Sequence, residues 1–259
     1  MTQNYISGLA FHQIANWSLC PRYQINFEPN KFKENDIVFL NLDFFNEFIS
    51  IIAEIPPKVK FILITHNSDK CFTENHYILI KDIINKIYAI NTIFNNENVI
   101  TIPIGFRDMP LNTIPIIKSC NKIFNKEILI YMNFEIITNI NKRITCFNYF
   151  INFNWITSKS KLSIEDFYND IKKSKYILSP EGTGIDCHRI YESIYFDAIP
   201  IVKSSSMNNF YKDLPVIIIK EWSDITEEFL ISNYDRYYKN LILWKLENNN
   251  WLDPIFWLK

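Results

Sequence analysis

The stretch SPEGTGIDCHRIYESIYFDAIPIVK, residues 179–203, combines residue types that suit the binding of an anion. Gly182 and Gly184 are two of only four glycines in the chain, and they stand just before a predicted helix. Glycine lets the backbone approach a ligand closely, and the N–H groups in the first turn of a helix favour negative charge. Arg189 falls in that first turn, where its guanidinium can pair with a phosphate. Glu192 lies one turn further on the same helix face, and its carboxylate can accept both hydroxyls of a ribose.

These residues predict a site for a nucleoside diphosphate, but a second interpretation stays open. Arg189 and Glu192 are also spaced like an ordinary surface ion pair, and two glycines can simply make a turn. The stretch is neither a GxxxxGK[ST] loop nor a GxGxxG loop. His188 and Asp186 lie beside Arg189, and Asp186 is predicted to cap the helix.

The elements that must position these residues follow an alternating pattern of apolar strands and helices, which predicts βα units on parallel sheets. A strand, KYIL, ends directly in the glycine loop, so the loop is expected at the crevice beyond the carboxyl ends of the strands. Ser163 is predicted to cap the helix before that strand. Strands are predicted at 36–42, 60–66, 99–105, 127–134, 154–156, 175–180, 199–203 and 215–219. Helices are predicted at 44–55, 76–88 (one helix or a pair), 141–153, 163–174, 186–196 and 225–246.

The pattern restarts at residue 127, which predicts two α/β domains without internal sequence repetition. The linker is expected at residues 112–127, around Cys120. We therefore predict an N-terminal domain at 1–118 and a C-terminal domain at 119–259. The long last helix of the C-terminal domain is a candidate to pack back on the N-terminal half.

Composition excludes several classes of function. The chain has 259 residues, a net charge of −1 and a pI of about 6.4, which argues against a broad nucleic-acid surface. Its five cysteines are scattered without a CxxC pair, as is typical of a reduced, cytoplasmic protein, and its four histidines lack the spacing of a zinc site. The start lacks the pattern of a signal peptide, and no run reaches the roughly 20 apolar residues of a membrane span. Peripheral contact with a membrane stays open.

The block from Gly182 to Val202 resembles the signature of the exostosin-like glycosyltransferases, in which a glycine loop precedes an arginine–glutamate helix and an IPIV strand. Earlier segments agree with this family in order: FILITHNSD at 61–69, IPIGF at 102–106 and YMNFEIITNINKR at 131–143. The resemblance covers about residues 35–205. Asp197 and Ala198 depart from it, since the family usually has a small Gly-Cys type pair there.

The resemblance implies a GT-B fold, with two Rossmann-like halves whose parallel sheets face a central cleft. The donor nucleotide would lie on the C-terminal half and the acceptor on the N-terminal half. Residue by residue, Glu192 would hold the ribose and Arg189 the diphosphate, while the loop Gly182–Thr183–Gly184 would lend backbone amides. Arg143 would be a second diphosphate cation, although a solvated helix arginine is the equal alternative.

The implied reaction is transfer of a sugar from a nucleotide-diphosphate sugar to a glycan or another hydroxyl acceptor. Because no DxD motif occurs, we expect no metal or other cofactor, and leaving-group stabilisation by arginine and a helix terminus. His66 and Asp69 follow a strand of the N-terminal half and are the candidates for a general base, with His66 favoured for its near-neutral pKa. Shaping the acceptor pocket is the alternative role, and a retaining enzyme needs no such base. A catalytically inactive GT-B-like protein that binds nucleotides or glycans is the alternative function.

Overall fold

The structure is a computed structural model that describes residues 5–108 and 125–259. It divides the chain into two compact units. Met1–Ile104 and Trp251–Lys259 form the N-terminal unit, and Gly105–Asn250 form the C-terminal unit. The predicted boundary at 118/119 and most of the predicted linker, including Cys120, lie outside the described residues.

The N-terminal unit is built on a parallel sheet of five strands in the order β1-β2-β3-β4-β5. Alternate residues of the strands enter two apolar clusters: Val38 and Leu40 belong to one, and Phe39 and Ile64 to the other. Both faces of the sheet are therefore buried, which explains the continuous apolar runs. The elements are α1 (Gly8–Gln13), β1 (Trp17–Leu19), β2 (Ile37–Asn41), α2 (Phe45–Glu54), β3 (Phe61–His66), α3 (Glu74–Ile80), β4 (Ile84–Ala89) and β5 (Val99–Thr101).

The C-terminal unit contains a second parallel sheet of five strands, in the order β10-β9-β8-β6-β7. The predicted Ser163 cap is confirmed, because its side chain accepts a hydrogen bond from the Asp166 N–H at 3.1 Å. The elements are β6 (Ile128–Met132), α4 (Ile140–Phe150), β7 (Ile156–Ser158), α5 (Ile164–Lys173), β8 (Ser174–Leu178), α6 (His188–Tyr195), β9 (Ile199–Lys203), α7 (Asn208–Tyr211), β10 (Ile217–Ile219) and α8 (Glu227–Glu247).

The strand order of the second sheet reverses between β6 and β8. From β6 the chain continues to β7 on one side, and from β8 it continues to β9 on the other. In open parallel sheets, ligands bind beyond the carboxyl ends of the strands at such a reversal. Residues 133–135 follow β6 and the glycine loop follows β8, so the topology brings both segments to this place.

The α/β class with two Rossmann-like parallel sheets is confirmed. That the two sheets face a central cleft stays a prediction. Among the described residues, no helix combines the length and the apolar character that crossing a membrane requires.

Two predictions of secondary structure are corrected. The helix predicted at 76–88 is the short α3 followed by the strand β4, because Ile84–Ala89 pairs with β3 on one side and β5 on the other. Strand β1 was not predicted, since three residues are too few to show a period. The last helix, α8, buries Leu230 and Leu241 in the core of the C-terminal unit, and it is the segment after it that belongs to the N-terminal unit.

Candidate anion-binding site

A cavity of about 480 Å³ lies in the C-terminal unit, where the chain leaves β6 and where α6 begins. Arg143 and Arg189, both predicted to bind the donor, line this cavity. Their guanidinium carbons each lie 5.6 Å from the ring centre of Phe134, which follows β6. Arg107 and Lys161 add two more basic side chains to its wall. The cavity is therefore rich in positive charge.

Arg189 is partly buried, and its charge is poorly compensated. Its Nε and Nη1 atoms are inaccessible to solvent and have no hydrogen-bond partner among the described residues. Burial lowers the pKa of Arg189 to about 10, and the nearby charge of Arg143 acts in the same direction. The group still carries its proton at neutral pH. A poorly compensated cation in the wall of a cavity is suited to an anionic ligand.

Arg143 is held rigidly by the backbone around it. Its Nε donates to the carbonyl of Glu181 at 2.9 Å and its Nη1 donates to the carbonyl of Glu135 at 2.8 Å. Arg143 is buried in the structure, so the alternative of a solvated helix arginine is wrong. Its role as a cation for a diphosphate stays a prediction.

The glycine loop lies against the turn that precedes α4. The carbonyl of Gly182 accepts a hydrogen bond from Asn139 Nδ2 at 2.8 Å, and the exposed Thr183 donates its hydroxyl to the carbonyl of Thr138 at 3.3 Å. Gly182 has no left-handed backbone, but a Cβ there would lie 2.7 Å from Arg143 Nη2. Glycine is therefore needed at this position to make room for the arginine. Gly184, the last residue of the loop, is buried, unlike Thr183 before it.

Asp186 does not cap α6, which corrects the prediction. The residue at the cap position is Cys187, and it makes no capping hydrogen bond through its side chain. Asp186 instead accepts hydrogen bonds from the hydroxyls of Tyr191, at 2.5 Å, and Tyr211, at 3.1 Å. Burial raises the pKa of both tyrosines, and the charge of Asp186 raises it further. This buried group ties the start of α6 to α7.

Glu192 is placed differently from what a ribose-binding residue requires. Its side chain is fully buried and does not line the cavity. Its Oε1 accepts hydrogen bonds from Arg107 Nε and from the Tyr168 hydroxyl, both at 2.9 Å, and its Oε2 accepts from Arg107 Nη2 at 3.4 Å. The predicted contact with a ribose stays a prediction, but these three donors and the burial argue against it.

Arg107 is the residue of the cavity that the sequence did not reveal. It stands 85 positions before its partner Glu192, so no local spacing connects the two. The charge of Glu192 raises the pKa of Arg107, which burial alone would lower. The one available signal was its position directly after the IPIGF segment.

The predicted acceptor-side residues lie in the N-terminal unit. His66 is the last residue of β3 and is buried, whereas Asp69 is exposed. His66 Nδ1 accepts the N–H of Asn67 at 2.8 Å, so its Nε2 carries the proton and donates to the carbonyl of Pro103 at 3.3 Å. Both ring nitrogens are thus bonded to the main chain. General-base catalysis by His66 or Asp69 stays a prediction, and for His66 these bonds argue against it.

In the part of the chain that the structure describes, no three His, Cys, Asp or Glu side chains are grouped to hold a metal ion.

Residues 130–240 of the chain match the family model of the RXYLT1 C-terminal domain, a xylosyltransferase domain of the exostosin-like glycosyltransferases. The matched residues, which lie within the C-terminal unit, are thus similar to a domain of the exostosin-like type. The resemblance seen in the sequence is thereby confirmed for this unit. The match covers less than half of the chain; it begins within β6 and includes α4, α6 and both arginines that contact Phe134.

Solved structures with a similar course of the chain include the N-terminal domain of Candida albicans trehalose-6-phosphate phosphatase, at 11% identity and a TM-score of 0.49 over 87% of this chain and 70% of that one. The GtfA/B complex follows at 10% identity and a TM-score of 0.43, over 88% and 56% of the two chains. The pneumococcal O-GlcNAc transferase GtfA, in complex with UDP and GlcNAc, matches at 11% identity and a TM-score of 0.38, over 86% and 52%. This chain thus spans about half the length of the latter two. All three TM-scores lie below 0.5, and no curated protein matches.

Proposed function

We propose that the protein is a glycosyltransferase that moves a sugar from a nucleotide-diphosphate sugar to a glycan or another hydroxyl acceptor. The observation that carries the proposal is a pair of arginines, Arg143 and Arg189, that both contact Phe134 and line one cavity at the strand-order reversal of the C-terminal sheet. The match to an exostosin-like domain over the same residues supports it.

We assign the diphosphate of the donor to the cavity lined by Arg107, Arg143 and Arg189, which is called the arginine cavity below. Arg189 brings a poorly compensated positive charge to its wall, and an anion would relieve the mutual repulsion of Arg189, Arg143 and Arg107. In sugar transfer, negative charge develops on the departing diphosphate, so preorganised cations stabilise the transition state as well as the bound donor.

A second, mainly apolar cavity of about 460 Å³ offers room for the nucleoside. It shares Phe134 and Glu135 with the arginine cavity and continues along Ile136, Ile137 and Phe147. The end of β7, at Ser158, supplies polar groups to its wall. A flat, partly polar base next to a diphosphate fits such a pair of adjoining cavities.

Calorimetric titration of nucleotide sugars tests the proposal. The panel includes UDP-xylose, because the matched domain belongs to a xylosyltransferase family. We expect Arg189→Ala to lower donor affinity about 10- to 100-fold, as loss of a charge-assisted hydrogen bond requires. Arg236→Ala, on the exposed face of α8, is the matched control and should bind like the wild type. Unchanged affinity in Arg189→Ala would refute the assignment.

Turnover separates a transferase from the inactive binding protein. The donor that binds is incubated with candidate glycan acceptors, and release of the nucleoside diphosphate is measured. Binding without release of the diphosphate or formation of a glycosylated product would favour the alternative function.

We further propose that transfer is independent of metal ions, because the arginines supply positive charge where a divalent cation would otherwise be needed. The measured rate should therefore be the same, within about twofold, in excess EDTA and in Mg²⁺ or Mn²⁺. A rate that disappears in EDTA and returns with Mn²⁺ would contradict this.

A further inference from the structure

One face of α6 holds the short segment Gly105–Arg107 through three residues spaced about one turn apart. His188 Nδ1 lies 2.7 Å from the carbonyl of Gly105 and is the donor, since a carbonyl can only accept. Tyr195 packs edge-on against Phe106, with ring centres 5.7 Å apart. Glu192 lies between them on the helix and receives the two hydrogen bonds from Arg107. The positions 188, 192 and 195 are spaced four and three residues apart, so they form one stripe on the helix surface.

This stripe faces a segment of the chain and not open space. The face of α6 that the sequence predicted to meet a ribose therefore serves to hold Gly105–Arg107. Because the segment is held there, the guanidinium of Arg107 lies in the wall of the cavity. Its Nε and Nη2 are engaged by Glu192, while the side chain keeps 34% of its surface accessible and lines the cavity together with Arg143 and Arg189.

Several features preorganise Arg107. The fork of its guanidinium meets both oxygens of a fully buried carboxylate, which fixes the plane of the group. The Tyr168 hydroxyl donates to the same carboxylate and holds it in turn. The guanidinium carbon also lies 5.4 Å from the ring centre of Phe167, another residue of the cavity wall. Because Glu192 fixes the Nε and Nη2 edge of the guanidinium, the remaining donors of Arg107 can bind a ligand without a further loss of side-chain entropy.

We propose that Arg107 is a third anion-binding residue of the arginine cavity, and that Glu192 and His188 are positioning residues that hold it there. This inference rests on the proposed function, because it assigns Arg107 to the same diphosphate. It differs from the family-based prediction in the role of Glu192, whose carboxylate orients a cation and leaves the ribose to other groups.

Titration with inorganic pyrophosphate tests the inference, since this probe contains the diphosphate and no ribose. We expect Arg107→Ala to lower the affinity about 10- to 100-fold. It should also flatten the dependence of affinity on salt concentration, because one fewer cation meets the anion. Arg236→Ala removes the same charge outside the cavity and should change neither quantity.

A second variant guards against misfolding, because Arg107→Ala leaves Glu192 buried without its cation. Arg107→Met combined with Glu192→Gln removes both charges and keeps similar volumes. It should lose the same affinity for pyrophosphate while its unfolding temperature stays close to that of the wild type. Affinity within twofold of the wild type in this double variant would overturn the proposal.

Chemical rescue separates binding from a purely structural role. Methylguanidinium added to Arg107→Ala should restore pyrophosphate affinity at least fivefold, since it can occupy the place next to Glu192. Absence of rescue would count against a direct contact and would overturn the proposal. If Arg189→Ala weakens pyrophosphate binding and Arg107→Ala does not, the proposed function stands and only this inference fails. If neither variant weakens it, the proposed function fails as well.

Discussion

At the scale of single residues, the decisive feature is an aromatic ring shared by two cations. Phe134 presents its ring to Arg143 and Arg189 at the same distance of 5.6 Å. The negative face of a ring attracts a guanidinium by about 0.5–2 kcal/mol, and more when water is excluded. The ring thereby offsets part of the repulsion that lowers the pKa of Arg189. Phe134 thus helps to hold two like charges in the wall of one cavity.

Phe134→Leu removes the ring and keeps an apolar side chain in its place. We expect the affinity for pyrophosphate to fall about 3- to 30-fold, because the arginines lose the group that holds them in place. Titration calorimetry measures the affinity of both variants and the wild type for pyrophosphate. Phe134→Tyr keeps a π face and should bind within about twofold of the wild type; a loss as large as that of the leucine variant would contradict the cation–π explanation.

At the scale of elements, the glycine loop and α4 must fit each other closely. Gly182→Ala places a methyl group 2.7 Å from Arg143 Nη2 in the present arrangement. Arg143 cannot yield easily, because two of its nitrogens donate to backbone carbonyls. We expect a loss of about 1–3 kcal/mol in the free energy of unfolding, together with weaker binding of pyrophosphate.

Denaturant unfolding and titration calorimetry check this prediction. Thr183→Ala is the neighbouring control, since Thr183 is exposed and makes one long hydrogen bond of 3.3 Å. It should change stability by less than about 0.5 kcal/mol. Equal effects of the two substitutions would show that the close contact with Arg143 does not matter.

Lys126, which precedes β6 and contacts the residue after α6, makes stability depend on pH. Lys126 donates to the carbonyl of Phe196 at 2.8 Å, and burial lowers the pKa of Lys126 to about 8, against the opposing effect of Asp197. Below pH 8 the lysine is charged in both the folded and unfolded states, so the folded state bears the cost of burying the charge. Between pH 8 and the ordinary value of 10.5, the unfolded state binds more protons, and stability therefore rises with pH.

Lys126→Met should remove this rise. The measurement is the free energy of unfolding of variant and wild type between pH 7 and 9.5, and the difference between the two isolates Lys126 from other titrating groups. Lys239→Met, on the exposed part of α8, is the control and should leave the slope unchanged. A wild-type slope that persists in Lys126→Met would show that other groups cause it.

At the scale of the whole molecule, the two sheets differ in strand order and therefore in whether they offer a ligand site at a reversal of that order. The C-terminal sheet reverses its strand order next to the arginine cavity, whereas the N-terminal sheet runs in simple order from β1 to β5. The residues predicted for acceptor catalysis lie at the end of β3, in the case of His66, and three residues beyond it, in the case of Asp69, and thus belong to the N-terminal unit. Of these, His66 is bonded at both nitrogens, to Asn67 and Pro103.

We expect His66→Ala to lower the free energy of unfolding by about 1–3 kcal/mol, because it leaves buried main-chain groups without partners. At a temperature where the variant is folded, kcat decides its catalytic role. A loss of about 10²- to 10⁴-fold, with the acidic limb of the pH profile removed, would establish His66 as the base in spite of its bonds. Asp69→Asn is the control for the exposed alternative, and a larger loss there would assign the role to the carboxylate.

The sequence by itself determined the alternation of strands and helices, the Ser163 cap and the proximity of the glycine loop to Arg189. Each of these depends on residues close together in the chain, where hydrophobic period and capping chemistry act directly. The sequence did not reveal that Ile84–Ala89 is a strand, because pairing with β3 and β5 decided it. Nor did it reveal that Arg107 forms an ion pair with Glu192, which lies 85 positions further along the chain. Such contacts arise only when the chain folds, since burial forces each charged group to take whichever partner the packing brings within reach.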